Sequence, residues 1–138
     1  MKKDYEYIVS SCLAGIKCRY DGTSKSDDYV CSLVENKKAI CICPEVLGGL
    51  SIPREPSEII NDKVITKSGK DVTKNYIDGS NEALKIAKKY NIKKAILKDK
   101  SPACGLHRYD GTFSGKIINK PGVTAALFKE NNIEVISK

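Results

Sequence analysis

Four short apolar runs punctuate the chain: Tyr7–Ser11, Ala39–Cys43, Ala95–Lys98 and Glu134–Ser137. None alternates cleanly between apolar and polar residues, which is the pattern of strands buried on both faces. Between them the apolar residues recur at helical spacing. Ser26 or Asp27 caps a stretch through Val30, Leu33 and Val34 that ends near Asn36. Asp71 or Thr73 caps a longer one through Tyr76, Ile77, Leu84, Ala87 and Tyr90, with Asn91 as its stop. Pro121 or Gly122 opens a third, from Val123 to Glu130, closed by Asn131 and Asn132. Strand and helix in alternation predict an α/β fold. The expectation is a three-layer, Rossmann-like arrangement, with a mainly parallel sheet and helices on both of its faces. Two segments, Glu58–Thr66 and Tyr109–Ile118, are expected as small hairpin excursions.

The 138 residues suit one domain spanning 1–138, since single domains commonly run to about 100–200 residues. A chain of this length buries a core without needing disulfides. No apolar run approaches the roughly 20 residues that span a bilayer. The opening residues lack a signal-peptide pattern, so the expected location is the cytoplasm and no membrane partner is expected. The formal charge of +7 favours polyanions such as RNA. Solvated Lys-rich helices account for most of that charge without any partner.

Location changes how the six cysteines are read: Cys12, Cys18, Cys31, Cys41, Cys43 and Cys104. In a reducing compartment they point to metal, catalysis or plain burial rather than to disulfides. Cys12 follows the first predicted strand, Cys43 ends the second, and Cys104 follows the third by a short loop. Parallel strands end on one side of a sheet, and ligands bind outside those carboxyl ends. Three cysteines distant in sequence are therefore expected to converge. Cys31, inside an amphipathic helix, and Cys41, one step back inside a strand, read as small buried hydrophobes. Cys18 stays open, as a fourth ligand or a nearby thiol. The spacings match neither a zinc knuckle nor a ferredoxin, so spacing does not name the metal. A thiolate-rich set with one histidine, His107, favours iron–sulfur or zinc. One pentapeptide also repeats, Arg19-Tyr-Asp-Gly-Thr23 and Arg108-Tyr-Asp-Gly-Thr112, and is expected to form two equivalent loops bordering one site.

The segments Ser10–Gly22, Cys43–Leu50, Asp71–Thr73 and Ser101–Gly115 resemble, in that order, the thiouracil desulfurase (TudS-like) family. The likeness runs from the first predicted strand to the last. Ala103 stands where that family more often has Ser, and Glu55 stands in a loop that is usually richer in proline. The resemblance implies a 4Fe–4S cluster held by three cysteines with one iron open, and matches the ligands to Cys12, Cys43 and Cys104. It further implies proton-handling roles for Glu45 and Ser101, and substrate contacts at Ser11, Gly48 and Arg54. The implied reaction turns the C=S of a thiolated pyrimidine into C=O with release of sulfide. The substrate is a small thiopyrimidine, with thiouridine in tRNA as the second candidate. A non-catalytic zinc or iron–sulfur module is the alternative, with zinc as the alternative cofactor.

Overall fold

The structure is a computed structural model and describes residues 4–138. Its central sheet holds β1 (Tyr7–Ser10), β2 (Ala39–Ile42), β5 (Lys94–Leu97) and β8 (Glu134–Ser137), in the order β2-β1-β5-β8. Every pairing in it is parallel, with Tyr7 opposite both Ala39 and Lys94 and with Ala95 opposite Val135. The chain leaves β1 for one edge at β2, then crosses back to β5. The strand order therefore reverses between β1 and β5, and the crevice outside their ends is where such sheets take ligands.

Alternation along these strands sends neighbouring residues to opposite faces. Ile8, Ala95 and Leu97 pack with Tyr76, Ala83, Leu84 and Ala87 of α3 (Thr73–Lys89) and with Ala125 and Phe128 of α4 (Val123–Glu130). Val9, Ala39 and Ile96 pack with Val30 and Leu33 of α1 (Asp28–Glu35). The result is three layers with helices on both faces, as the run pattern predicts. A buried bond of 2.6 Å between the Ser80 and Thr124 hydroxyls ties α3 to α4.

The Asp27 cap follows the sequence reading; at α3 the cap position is Val72, without a side-chain cap bond, and Asp71 instead closes a turn onto Thr73. Asp27 Oδ2 accepts from the Val30 amide at 3.0 Å. Asp71 Oδ1 accepts from both the amide and the hydroxyl of Thr73, at 2.9 and 2.6 Å. Asn91 and Asn132, in left-handed backbone at φ 53° and 61°, follow the ends of α3 and α4. Both hairpins are present: β3 (Ser57–Ile60) with β4 (Lys63–Thr66), and β6 (Arg108–Tyr109) with β7 (Ile117–Ile118).

Four strand boundaries move by one residue, among them the end of β5, at Leu97 rather than Lys98. β1 stops at Ser10 because Ser11–Ala14 wind into a 3₁₀ turn. β2 stops at Ile42 because Pro44 begins a helix, and β5 starts one residue early, at Lys94. That helix, α2 (Pro44–Leu47), has no counterpart in the periodicity, since a single turn is too short to show a 3.6-residue repeat. It seats Pro at its first position, where the missing N–H costs nothing. Its packing is unusually close. A Cβ on Gly79 of α3 would lie 1.8 Å from the Pro44 carbonyl oxygen, and one on Gly48 would lie 1.9 Å from that of Asn75. Two glycines thus let α2 rest on the backbone of α3.

Candidate metal centre

At the carboxyl ends of β1, β2 and β5 lies a cavity of about 580 Å³. Its walls include Cys12, Cys18, Cys43 and Cys104, which come from three connections, the first two cysteines from the one after β1. Cys12 sits on the 3₁₀ turn after β1, Cys43 caps α2, and Cys104 sits in the loop after β5. The convergence expected from strand direction is therefore present, and Cys18 joins it. Cys12, Cys18 and Cys104 are buried, and Cys43 is half-buried.

The thiols press on one another. The hydrogen-bonding neighbour Cys12, together with burial, pushes the Cys18 thiol up to about 11, against a weaker opposing effect of Cys43. Cys43 is driven well above the ordinary thiol range by its contact with Cys18, then by burial. Burial is the first cause of the same rise at Cys104, with the charges of Glu45 and the neighbouring thiols adding to it. Cations entering among these sulfurs would favour their thiolate form. Among the described residues, no three Cys, His, Asp or Glu side chains close tightly enough on one point to hold a single ion. A mononuclear zinc draws its sulfurs in to about 2.3 Å, whereas a polynuclear cluster takes each thiolate on a different iron. The thiol donors on the cavity wall are the soft ligands that an iron–sulfur cluster takes.

Beside the thiols sits Glu45, on the first turn of α2. Its Oε2 accepts two bonds from Arg54, from Nε at 3.0 Å and from Nη2 at 2.7 Å. The two side chains are only 8% and 13% exposed, so this is a buried pair rather than a surface one. Burial pulls the Arg54 guanidinium down, but the charge and hydrogen bonds of Glu45 outweigh it and hold it above its ordinary value. Arg54 also donates to the Cys18 carbonyl at 3.0 Å, linking the carboxylate to the thiol loop.

Ser101 has a defined orientation. Its oxygen accepts from the amides of Ala103 and Cys104, at 3.0 and 3.1 Å. Both lone pairs being engaged, its proton points to Glu45 Oε1 at 3.3 Å. Glu45 Oε1 keeps capacity for a further donor from the cavity, because Arg54 occupies only Oε2.

Ser11 and Arg54 line the cavity, as the resemblance implies. Gly48 is not among its lining residues. Gly48 packs α2 against α3, with its carbonyl accepting from Asn75 Nδ2 at 2.8 Å. Cys31 and Cys41 stay out of the cavity and lie on the α1 side of the sheet, but they are half-exposed rather than buried. The reason is position: β2 is an edge strand, and the short α1 covers it incompletely. The two pentapeptide loops do border one cavity, through Arg19, Tyr20 and Tyr109. His107 lies outside it; its ring binds Asp99 at 3.0 Å and so braces the loop that carries Cys104.

Among the lining residues that the sequence reading did not assign to the site, three bear on its chemistry. Tyr76 counted only as an apolar position on α3, yet it lines the cavity beside Glu45, and its hydroxyl is kept protonated by burial. Ser10 lines the cavity while accepting from the Lys98 amide at 2.9 Å. Lys98 lines it too, its ammonium pulled below the ordinary range by burial. Each sits in or beside a secondary-structure element whose pattern points to packing, so nothing local marked them.

The fold and the site define an α/β protein with a cysteine-walled cavity and a buried carboxylate at its strand ends. The chain belongs to the 2-thiouracil desulfurase family, whose model matches residues 7–138. It is similar to YbbK, an uncharacterized protein of Bacillus subtilis (strain 168), with 48% identity over 95% of this chain and 94% of that one. Its structure is similar to that of TudS, described as a [4Fe-4S]-dependent thiouracil desulfidase, with a TM-score of 0.93 and 39% identity. That similarity covers 97% of this chain and 91% of the other.

Proposed function

We propose that this protein is an iron–sulfur-dependent, non-redox desulfurase that converts the C=S of a thiolated pyrimidine to C=O. The observation that carries the reading is the convergence of Cys12, Cys43 and Cys104 on one cavity beside a buried, doubly held carboxylate. Cys12, Cys43 and Cys104 hold a 4Fe–4S cluster, with Cys18 as a nearby thiol. When bound, that cluster supplies one iron without a protein ligand, a soft Lewis acid suited to a thiocarbonyl sulfur.

The chain's own groups do the rest. Glu45 is the proton carrier: the oxygen not taken by Arg54 accepts a proton from water and returns one to the ring or to the departing sulfide. Ser101 orients that oxygen through its single available proton. Arg54 keeps the carboxylate in place, and Ser11 lines the substrate's approach. The overall balance is one thiocarbonyl and one water giving one carbonyl and one hydrogen sulfide, with no net electron transfer.

The substrate is a thiouracil or the thiouridine of a tRNA. Arg19, Lys25, Lys98 and Lys100 along the cavity wall support an anionic carrier. The protein works in the cytoplasm as one domain; among the described residues, no helix is long and apolar enough to cross a membrane.

The test is anaerobic reconstitution with iron and sulfide, followed by 2-thiouracil in one arm and thiouridine-containing tRNA in another. The expected result, without added reductant, is sulfide in equal amount to the uracil formed in the first arm or to the uridine formed within tRNA in the second. A fully loaded protein that releases no sulfide in either arm overturns the reading.

A further inference from the structure

The repeated pentapeptide is not used by the chemistry above, yet the Asp-Gly-Thr part of both copies folds alike, although Arg19–Tyr20 lie in a turn, with the Arg19 guanidinium over the Tyr20 ring, and Arg108–Tyr109 form β6. Asp21 Oδ1 accepts from the amide and hydroxyl of Thr23 at 3.1 and 2.5 Å. Asp110 Oδ1 accepts from the same two groups of Thr112 at 2.9 and 2.6 Å. The glycine between them is left-handed in both turns, at φ 77° and 94°. Each turn is also tethered from outside, and by different elements. The Arg54 amide donates to the Tyr20 carbonyl at 2.7 Å. The buried Glu58 accepts from the amides of Gly111 and Phe113, at 2.9 and 3.1 Å.

The residue immediately before each Asp-Gly-Thr turn is a tyrosine on the cavity wall. Tyr20 is 40% exposed and Tyr109 is half-buried. A tyrosine beside a closed, tethered turn loses little entropy on contact, because its backbone is already fixed. A planar ring held by its faces keeps its edge free, and the edge carries the thiocarbonyl and the ring nitrogens on which the thiol wall and Glu45 must act. Flat π-faces are what half-open tyrosines recognise without hydrogen-bond readout.

We propose that Tyr20 and Tyr109 are a pair of aromatic contacts that hold the substrate ring by its faces and restrict the enzyme to planar heterocyclic thiocarbonyls. The proposal rests on the desulfurase reading for the identity of the ring. It assigns the duplicated turn a purpose: to present one tyrosine from each end of the chain to the same cavity.

Two measurements test it. In steady-state kinetics with cluster-loaded protein, Tyr20→Ala and Tyr109→Ala each raise KM for 2-thiouracil about 5–100-fold, the range set by stacking on one side chain, with kcat within about threefold. Tyr20→Phe and Tyr109→Phe keep the wild-type KM, because the ring face and not the hydroxyl makes the contact. In the second measurement, calorimetry follows uracil binding to the loaded protein without turnover. Binding is retained in the Phe variants and weakened in the Ala variants by the same factor as KM. Acyclic thiourea is a poor substrate for the wild type and no poorer for the Ala variants. Ala variants with unchanged KM and unchanged uracil binding overturn the aromatic pair and leave desulfuration standing. A wild type that releases no sulfide but loses uracil binding in the Ala variants overturns desulfuration and leaves the ring contact standing.

Discussion

Two sets of thiols in this molecule share a residue type and differ in everything else. Cys41 and Cys43 are two residues apart, yet only Cys43 reaches the cavity. Cys41 is still inside β2, paired with Val9. Cys43 is beyond the strand and caps α2, so it faces the crevice with Cys12, Cys18 and Cys104. Cys31 lies with Cys41 on the α1 side, donating weakly to the Leu13 carbonyl at 3.7 Å. The comparison teaches that a cysteine's chemistry is set by whether its backbone has left the strand, not by its spacing from the next cysteine.

The largest test of that contrast exchanges thiols one at a time. Cys12→Ala, Cys43→Ala and Cys104→Ala are each expected to lose the cluster, seen as loss of bound iron and visible absorption, and with it all activity. Cys31→Ala and Cys41→Ala are expected to keep full iron content. Their cost is limited to packing, below the roughly 2–5 kcal/mol of large core truncations because both sites are half-exposed. Iron loss in Cys41→Ala would erase the distinction between strand and strand end.

A smaller effect separates holding the metal from moving protons. Glu45→Gln keeps the shape and the Arg54 contact but cannot carry a proton. It is expected to retain its cluster while turnover of thiouracil falls by about 10²–10⁴-fold. Ser101→Ala keeps the cluster and loses less rate, since Ser101 orients Glu45 and does not replace it. A Glu45→Gln protein with normal turnover would remove the carboxylate from the chemistry. One without cluster would move Glu45 among the supports of the thiols.

The smallest effect is a pH dependence of the metal-free protein. The folded state holds the Cys18 proton more tightly than the free thiol at 9.0, up to about 11. A value raised by folding contributes stability that is complete below pH 9.0 and is lost as pH climbs towards about 11. Thermal melts of metal-free protein are therefore expected to fall across that window. A Cys18→Ala variant should fall less. An equal decline in Cys18→Ala would assign the effect to other groups.

Much of this arrangement was legible before any coordinates. Apolar runs located the four sheet strands to within a residue, and helical spacing with Asp27, Asp71 and Asn91 bounded α1 and α3. Strand direction alone predicted that Cys12, Cys43 and Cys104 would meet. What was not legible has a common cause. α2 is one turn long and carries no period, so the element that aims Cys43 and Glu45 was invisible. The family resemblance implied a substrate contact at Gly48, but Gly48 makes room for a helix, because a glycine's neighbours are not written beside it. Tyr76 is spaced like a core residue on α3, and periodicity does not show where a hydroxyl ends up.

The sequence by itself determined the layer order, the parallel sheet and the side of the sheet on which the thiols gather, because these follow from local periodicity and from the common direction of parallel strands. Only the tertiary structure decided that Arg54 grips one oxygen of Glu45 and that Ser101 spends both lone pairs on amides so that its proton meets the other. It also decided that Cys18, left open by the residue order, stands among the site thiols. These are relations between segments far apart in the chain, fixed by hydrogen-bond angles and close packing to a fraction of an ångström, and residue order carries no coordinate for them.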